Sequence, residues 1–211
     1  MTNWLHTFLY PPRCPGCGRP VKRHGTWCSL CFQSVWHPRI IDGSRRNHLD
    51  GCYALTDYRG CIRRVLQQIK YERKFQYEAA CLYLLSRFPW MRDIQLDIAV
   101  PVPLSLIRLQ KRGYNQSEFI FRSWAETFTV WSDALQRRRA TQSQWTLSRP
   151  ERAKNVADGF SVKYGVRIQG KSILLVDDIY TTGATMESCA HALKKKGAAR
   201  VTGLVIASGA R

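Results

Sequence analysis

Two adjacent carboxylates and a run of hydroxyl groups follow a short apolar segment near the carboxyl end of this 211-residue chain. Residues 173–176 are aliphatic, Asp177 and Asp178 come next, and residues 181–185 read Thr-Thr-Gly-Ala-Thr. Such an apolar run is typical of a buried parallel strand, and ligands bind beyond the carboxyl ends of such strands. Hydroxyls and N–H groups at a helix start suit a phosphate, whereas carboxylates suit sugar hydroxyls and hydrated Mg²⁺. The segment therefore predicts a sugar-phosphate site.

Two other nucleotide and phosphate motifs overlap this segment. Residues 165–172 match the Gly-x-x-x-x-Gly-Lys-Ser pattern of a P-loop. A P-loop leaves a strand and opens a helix, whereas Lys171 and Ser172 lead directly into the apolar run, so an ATP site is not expected. A receiver domain also has a strand that ends in Asp-Asp, but it needs an acceptor Asp on a later strand. None follows Asp178.

Four of the eight cysteines form two Cys-x-x-Cys pairs that are separated by ten residues. Two such pairs in turn-forming surroundings are typical of a tetrahedral Zn²⁺ site, with a disulfide or redox pair as the alternative. No nearby base suggests catalysis, so the metal is expected to stabilise a module of about 40 residues that is too small for its own core. The expected ligands are Cys14, Cys17, Cys28 and Cys31.

A second candidate site follows residues 97–102, which are predicted to form the first strand of the main sheet. The loop over residues 104–116 combines basic side chains, a glycine and amides, groups that hold a diphosphate at a strand end. A basic surface loop without a ligand is the alternative. The residues expected to contact the diphosphate are Arg108, Arg112, Gly113 and Asn115.

The net charge of +18, from 33 basic and 15 acidic residues, suits a polyanion or several phosphates in one cleft. A basic protein without such a partner is the alternative. Residues 133–160 have weak structural signals and predict a long mobile loop or hairpin, along which basic groups and an aromatic ring can follow a nucleic-acid strand. The residues expected to do so are Arg137, Arg138, Arg139 and Trp145.

Hydropathy and cysteine usage bear on the compartment. No apolar run reaches the 18 residues expected of a membrane span, and the first 12 residues lack the pattern of a secretion signal. Thiols that bind metal or pack, rather than form disulfides, indicate a reducing cytosol. The expectation is therefore a cytoplasmic protein with no membrane insertion.

Secondary-structure patterns show what must position these groups. Apolar residues recur at helical spacing over residues 62–69, 77–88 and 117–128. Residues 160–168 predict a short hairpin before the central strand, and residues 199–207 predict a last buried strand. Alternating strands and helices predict an α/β fold with a mainly parallel sheet flanked by helices.

The acidic strand end and the Thr-Thr-Gly-x-Thr loop closely resemble the phosphoribosyl-diphosphate (PRPP) loop of type I phosphoribosyltransferases. With the cysteine pairs, the Val-Pro-Val-Pro run at residues 100–103 and Arg-Gly-Tyr-Asn-Gln at residues 112–116, the chain resembles the ComF/GntX-type family of competence proteins. The resemblance covers essentially the full chain. It includes spaced residues of the mobile loop, namely Arg139, Thr141, Gln144, Leu147, Arg152 and Asn155.

The resemblance implies a type I phosphoribosyltransferase fold with a Rossmann-like sheet, preceded by a small zinc-binding module. Its implied domains are a four-cysteine module at residues 1–38, a connecting segment at 39–60 and a phosphoribosyltransferase-like domain at 61–211. Asp177 and Asp178 are the implied catalytic residues, and Mg²⁺ is implied with PRPP. The implied PRPP contacts are Asp177, Asp178, Thr181, Thr182, Gly183, Ala184 and Thr185.

Family membership further implies cytoplasmic action on incoming single-stranded DNA, in natural transformation or in DNA utilisation, with a DNA-translocating helicase as a partner. Two function classes stay open, because no acceptor base is implied. One is a phosphoribosyltransferase of the glycosyltransferase class, including a transferase for an unidentified base in nucleotide salvage. The other is a non-catalytic nucleic-acid-binding module that retains the PRPP fold.

Overall fold

The computed structural model describes residues 10–41, 47–138 and 159–210. The helices in these ranges are α1 (Ser29–Val35), α2 (Gly60–Glu72), α3 (Glu78–Leu85), α4 (Leu106–Arg112), α5 (Gln116–Ala125) and α6 (Ala184–Lys195). The strands are β1 (Trp36–Ile40), β2 (Gly51–Asp57), β3 (Ile98–Pro101), β4 (Val130–Trp131), β5 (Leu135–Arg137), β6 (Phe160–Val162), β7 (Ser172–Tyr180) and β8 (Arg200–Ser208).

Six strands form the main sheet in the order β1-β2-β8-β7-β3-β4. β1 is antiparallel to β2, and every other neighbouring pair is parallel. The predicted central strand is β7, which lies between β8 and β3. The expected mainly parallel α/β sheet is therefore confirmed.

Side chains of β7 alternate between two hydrophobic cores because successive residues of a strand point to opposite faces. Leu174 and Val176 belong to the core that contains residues of α2, α3 and α5. Ile173 and Leu175 belong to the core that contains α6 and the two-stranded sheet of β5 and β6. Both faces of the sheet are covered, which explains the continuous apolar run in the sequence.

The three helices predicted from periodicity are confirmed, with ends shifted by a few residues. In α2 the buried residues Ile62, Val65, Leu66 and Ile69 recur at the spacing that the pattern indicated. α2 is followed by Arg73, whose φ of 53° is left-handed and turns the chain out of the helix.

The prediction that residues 97–102 form the first strand of the main sheet is wrong. β2 precedes them and pairs in parallel with β8, some 150 residues later in the chain. The segment at 39–60, expected to connect two domains, therefore also supplies strands to the sheet. Residues 52–58 alternate only modestly between apolar and polar, and no local signal identifies so distant a partner.

Two further local expectations need correction. Residues 104–116 were expected to be a loop but contain α4, whose N-cap Ser105 accepts a hydrogen bond from the Arg108 N–H at 3.4 Å and whose C-cap Gly113 has a φ of 84°. The hairpin expected over residues 160–168 is also wrong, because β6 pairs with β5 instead. Only three residues of β5 are paired, too few for a clear period-two signal.

The cysteine-rich module packs against the helices that follow it. The buried Trp27 donates from Nε1 to the Ala80 carbonyl of α3 at 3.0 Å. Arg64 of α2 donates to the Gly16 carbonyl at 3.2 Å. A Cβ on Gly25 would meet the backbone of Ala79, so the two parts approach closely. Among the described residues, no helix is both long and apolar enough to span a membrane.

We expect Gly203→Ala to destabilise the protein by about 1–3 kcal/mol, the usual cost of overpacking a core. Its Cβ would lie 2.8 Å from the sulfur of Cys52 and 2.8 Å from the methyl of Met186. Gly51→Ala in β2 is the matched control, because its nearest neighbour would be a Tyr53 ring carbon at 3.9 Å. Urea unfolding measures the stability of both variants. Equal unfolding midpoints for Gly203→Ala and Gly51→Ala would contradict this packing.

Candidate functional site

A tight turn joins β7 to α6 at the carboxyl edge of the sheet. Gly183 has a left-handed φ of 81°, and a Cβ there would overlap the hydroxyl of Tyr180. Glycine is therefore required by both the backbone and the space. The Gly183 carbonyl accepts from the Glu187 N–H at 2.9 Å, which starts the 12-residue helix α6.

The turn presents hydroxyls and N–H groups to solvent. Thr181, Thr182 and Thr185 are exposed. The N-cap residue of α6 is Gly183, which has no side chain to cap the helix. The Thr182 hydroxyl accepts from the Ala184 N–H only at the long distance of 3.5 Å. N–H groups at the start of a helix need an acceptor, and the positive end of the helix dipole favours an anion. A small cleft lined by residues 179–186 and by Asp177 is thus suited to a phosphate.

The two carboxylates that precede the turn have different surroundings. Asp177 is half-buried and lines this cleft, and its Oδ1 accepts from the Ser117 hydroxyl at 2.7 Å. Asp178 is 3% exposed and accepts from Lys70 Nζ at 3.2 Å and from Gln116 Nε2 at 3.1 Å. Asp177 is accordingly the carboxylate available to a ligand, whereas Asp178 connects β7 to α2 and α5.

The proximity of these carboxylates changes the acidity of Asp177. Burial, and then the negative charge of Asp178, raise its pKa to about 8, against the opposing hydrogen bond from Ser117. The positive charge of Lys70 is paired with Asp178. A second negative charge, on Asp177, would lie beside that of Asp178 and is therefore unfavourable. A ligand that brings a cation or hydroxyl donors would restore the charged form of Asp177.

The residues expected to hold a diphosphate occupy different positions. Arg112 donates to the Gln116 side chain, which in turn donates to Asp178, so the structure brings this arginine to the carboxylates. Asn115 donates to the Val102 carbonyl at 3.0 Å and accepts from the Ser117 N–H at 3.0 Å, which makes it the cap of α5. Arg108 lies exposed on α4.

Sequence reasoning missed three residues that contact the carboxylates, namely Lys70, Gln116 and Ser117. The helical spacing over residues 62–69 places Lys70 only at the end of a helix. Yet it directly follows the buried Ile69 and is itself only half-exposed, whereas a lysine normally lies in solvent. Gln116 and Ser117 follow the cap residue Asn115, so they begin a helix that faces the strand end.

A second cavity, of about 420 Å³, lies at the carboxyl ends of β2 and β8. Asp57 within it forms ion pairs with Arg39 at 2.7 Å and Arg59 at 2.9 Å, and its carboxylate lies 3.3 Å from His37 Nδ1. The full lining is His37, Arg39, Asp57, Tyr58, Arg59, Ser208, Gly209 and Ala210.

Strand register places this cavity beside the first cleft. Tyr180 lies opposite Ser208 in the pairing of β7 with β8, and the Gly209 N–H donates to the Tyr180 carbonyl at 2.8 Å. Adjacent strands are about 4.8 Å apart, so the two sites share one edge of the sheet. No local signal in the sequence indicates this cavity, because it depends on the pairing of β2 with β8.

The four predicted zinc ligands converge at one place. The sulfur atoms of Cys14, Cys17, Cys28 and Cys31 all lie within 4.8 Å of one another. Tetrahedral zinc with Zn–S bonds of about 2.3 Å requires sulfurs about 3.8 Å apart. The Cys17 and Cys28 sulfurs are 3.7 Å apart, so the donor set fits a structural Zn²⁺.

Backbone donors favour the thiolate form of Cys14, whereas burial raises the pKa of Cys31. Burial acts to raise the pKa of Cys14, but N–H donors from Cys28, Cys17 and Gly16 lower it to about 7. The thiolate is the form that binds metal.

Of the residues expected to contact nucleic acid, only Arg137 and Arg138 are described. Both are exposed, and the Arg137 guanidinium lies 5.3 Å from the ring centroid of Phe160. Arg139 and Trp145 lie outside the described residues, and so do Thr141, Gln144, Leu147, Arg152 and Asn155 of the family resemblance.

Comparison with known proteins identifies the family. A double zinc ribbon domain model matches residues 5–41, and a phosphoribosyl transferase domain model matches residues 132–211. The DNA utilization protein YhgH of Salmonella typhimurium is 30% identical over 198 residues, which cover 89% of this chain and 86% of that protein.

The chain belongs to this family of DNA utilisation and competence proteins. Competence protein ComFC of Bacillus subtilis is 30% identical over 191 residues, covering 88% of this chain and 73% of that protein. Competence protein F of Haemophilus influenzae is 26% identical over 197 residues, covering 88% and 80%. The predicted membership of the ComF-type competence family is confirmed.

Two solved structures match part of the chain. They are the allosteric regulatory enzyme of purine biosynthesis and the glutamine PRPP amidotransferase from B. subtilis, with TM-scores of 0.37 and 0.38. Each is 24% identical and covers 53% of this chain and 22% of the matched chain. The family models show that this competence-family protein joins a zinc ribbon to a phosphoribosyltransferase domain.

We expect one Zn²⁺ per chain of this competence-family protein. Cys28→Ser should release the metal and unfold the ribbon, because the three remaining thiolates do not complete the site. Elemental analysis measures the zinc content, and circular dichroism measures the unfolding. Cys61→Ser is the control, because Cys61 lies outside the four-sulfur cluster. Freshly purified wild type without zinc would contradict the assignment.

The raised pKa of Asp177 predicts a pH-dependent stability. Between about pH 4 and pH 8 the folded protein binds more protons than the unfolded chain, so this group's stabilisation is complete below pH 4 and is lost as the pH rises through 8. Asp177→Asn removes that dependence. Its unfolding free energy relative to wild type should rise with pH, by at most about 1.4 kcal/mol per unit. A difference that is constant between about pH 5 and pH 8 would contradict the raised pKa.

Proposed function

We propose that the protein binds PRPP with Mg²⁺ at the carboxyl edge of its sheet, binds single-stranded DNA, and acts in the cytoplasm in DNA uptake or utilisation. The observation that carries the PRPP part is one cleft that joins a half-buried carboxylate to the uncapped start of α6. A sugar phosphate has groups for both.

In this arrangement the 5-phosphate lies against Thr181, Thr182, Gly183, Ala184 and Thr185. The ribose hydroxyls donate to Asp177, and Asp178 supports the pair from its buried position. The diphosphate lies toward Arg112, whose side chain is tied to Asp178 through Gln116. When bound, Mg²⁺ neutralises charge on the diphosphate and balances the carboxylates.

A transferase needs a place for an acceptor, and the second cavity supplies one beside the proposed ribose position. Its volume of about 420 Å³ is in the range of small-molecule sites. Its lining includes the ring of Tyr58 and the guanidinium groups of Arg39 and Arg59 that pair with Asp57, and a planar acceptor would lie among them. The acceptor atom would bond to the ribose carbon as the bond to diphosphate breaks, with positioning and charge stabilisation as the protein's contribution.

The second candidate function is a non-catalytic nucleic-acid-binding module that keeps the PRPP pocket. The net charge of +18 favours it, and so do the names of relatives concerned with DNA utilisation and competence. A DNA-translocating helicase is the further partner proposed for either function. Diphosphate release from PRPP, measured with free bases, nucleosides and single-stranded DNA as acceptors, separates the two functions.

We expect Asp177→Asn to weaken PRPP binding about tenfold or more in the presence of Mg²⁺, because hydrogen bonds to charged groups contribute about 1.5–3 kcal/mol. Isothermal calorimetry measures the affinity, and omission of Mg²⁺ should weaken wild-type binding. Asp97→Asn is the control, since Asp97 accepts a hydrogen bond from the Ser172 N–H at the start of β7, at the end of the strand opposite to the cleft. Equal affinity of wild type and Asp177→Asn would remove the site assignment.

A further inference from the structure

A surface with exposed aromatic rings and basic side chains lies beside the proposed PRPP cleft. It combines the end of α2 and the turn after it with one side of α4. We call it the Tyr71 face, and its members are Tyr71, Arg73, Phe75, Arg108, Lys111 and Arg112.

The two rings are exposed yet held in place. Tyr71 is 72% exposed, and the Arg112 guanidinium lies 5.7 Å from its ring centroid. Phe75 is 48% exposed, and its ring packs against Tyr114 and Phe119 at centroid distances of 5.3 and 5.1 Å. A large ring left in solvent but fixed by neighbours is a surface on which a flat ligand group stacks at little entropic cost.

The charge of this face is one-sided. Lys74 pairs with Glu72 at 2.8 Å, and Lys70 is engaged by Asp178. Within the described ranges no carboxylate forms an ion pair with Arg73, Arg108, Lys111 or Arg112. Four cations without a counter-charge, interleaved with two rings, attract a polyanion.

Backbone geometry joins the two segments of the face. Arg73 is the one non-glycine residue with positive φ among the residues described, and its left-handed conformation ends α2. A Cβ on Gly113 would lie 3.4 Å from the Arg73 guanidinium, and Tyr114 donates to the Ile69 carbonyl. These contacts hold the end of α2 against the end of α4, the two segments that carry the rings and cations.

We infer that the Tyr71 face binds single-stranded nucleic acid, with bases stacked on Tyr71 and Phe75 and phosphates along Arg73, Arg108 and Lys111. The inference rests on the proposed single-strand binding and gives it a location other than residues 137–145. Rings interleaved with cations, without groups aimed at base edges, suit single strands of any sequence. The face adjoins the cleft through Lys70 and Arg112, which contact the carboxylate network there.

The exposed apolar residues Leu106 and Ile107 on α4 raise the alternative of a protein partner. The unpaired cations around the rings favour nucleic acid, because an apolar partner would leave those charges desolvated. A protein partner is therefore treated as an outcome of the test.

The test measures binding of a fluorescent oligothymidylate to the zinc-loaded full chain by anisotropy over a range of salt concentrations. Tyr71→Ala should weaken binding about tenfold or more at every salt concentration and leave the salt slope unchanged, whereas Tyr71→Phe should bind like wild type. Arg73→Gly with Lys111→Gln should reduce the slope by roughly 1.4, at about 0.7 per phosphate contact in a single strand. Glycine accepts the left-handed backbone of residue 73.

Matched controls are Tyr164→Ala and Arg92→Gln. Tyr164 is fully exposed and follows β6 on the other face of the sheet, and Arg92 is exposed on the turn Met91–Asp93. Both should bind the oligonucleotide like wild type.

Wild-type affinity and slope in the Tyr71 and Arg73/Lys111 variants would overturn the inference. If those variants bound normally and Gln substitution of Arg137, Arg138 and Arg139 abolished binding, the oligonucleotide would bind along that segment and the proposed function would stand. If wild type bound no oligonucleotide, this inference and the DNA part of the function would both fall, and the face would be left to a protein partner. PRPP calorimetry would still test the remaining part.

Discussion

The ion pair between Lys70 and Asp178 is the contact on which the candidate site depends. Asp178 ends the apolar part of the central strand and is almost completely buried, where an unpaired carboxylate is very unfavourable. Lys70 from α2 and Gln116 from α5 both donate to it, so two helices are fastened to one strand end. Removing one partner of a buried pair costs about 3–5 kcal/mol, enough to threaten a domain of ordinary stability.

This pair also determines what the neighbouring carboxylate can do. Lys70 and Gln116 engage Asp178, and Asp177 is left facing the cleft with Ser117 as its side-chain donor. Burial, and then the nearby negative charge of Asp178, raise the pKa of Asp177, so the site gains from a ligand that brings hydroxyl donors or a cation. The same network extends through Gln116 to Arg112 and from there to Tyr71, which links the cleft to the proposed nucleic-acid surface.

Local signals in the sequence predicted what is local in the structure. The central strand, the glycine turn after it, the helix of Ile62 and Ile69, and the cysteine cluster all follow from spacing within a few residues. The pairing of β2 with β8 was not predictable in this way, because the two strands are separated by most of the chain. The cavity around Asp57 was missed for the same reason.

The division of labour between the two aspartates was also beyond the sequence. Adjacent in the chain, Asp177 and Asp178 look equivalent, and both were expected to contact the ligand. Which one is buried depends on where Lys70 and Gln116 arrive from α2 and α5, and that is a property of helix packing. The roles of Arg108, Arg112 and Asn115 diverge similarly, because α4 formed where a loop was expected.

The most direct test of this account is the proton balance of PRPP binding. Calorimetric titration with PRPP and Mg²⁺ near neutral pH, in two buffers of different ionisation enthalpy, measures the protons released. Because the pKa of Asp177 is raised to about 8, binding that restores its charge should release up to about one proton per chain, and Asp177→Asn should abolish that release. Tight binding whose heat is the same in both buffers, or release that persists in Asp177→Asn, would contradict the central role assigned to this carboxylate.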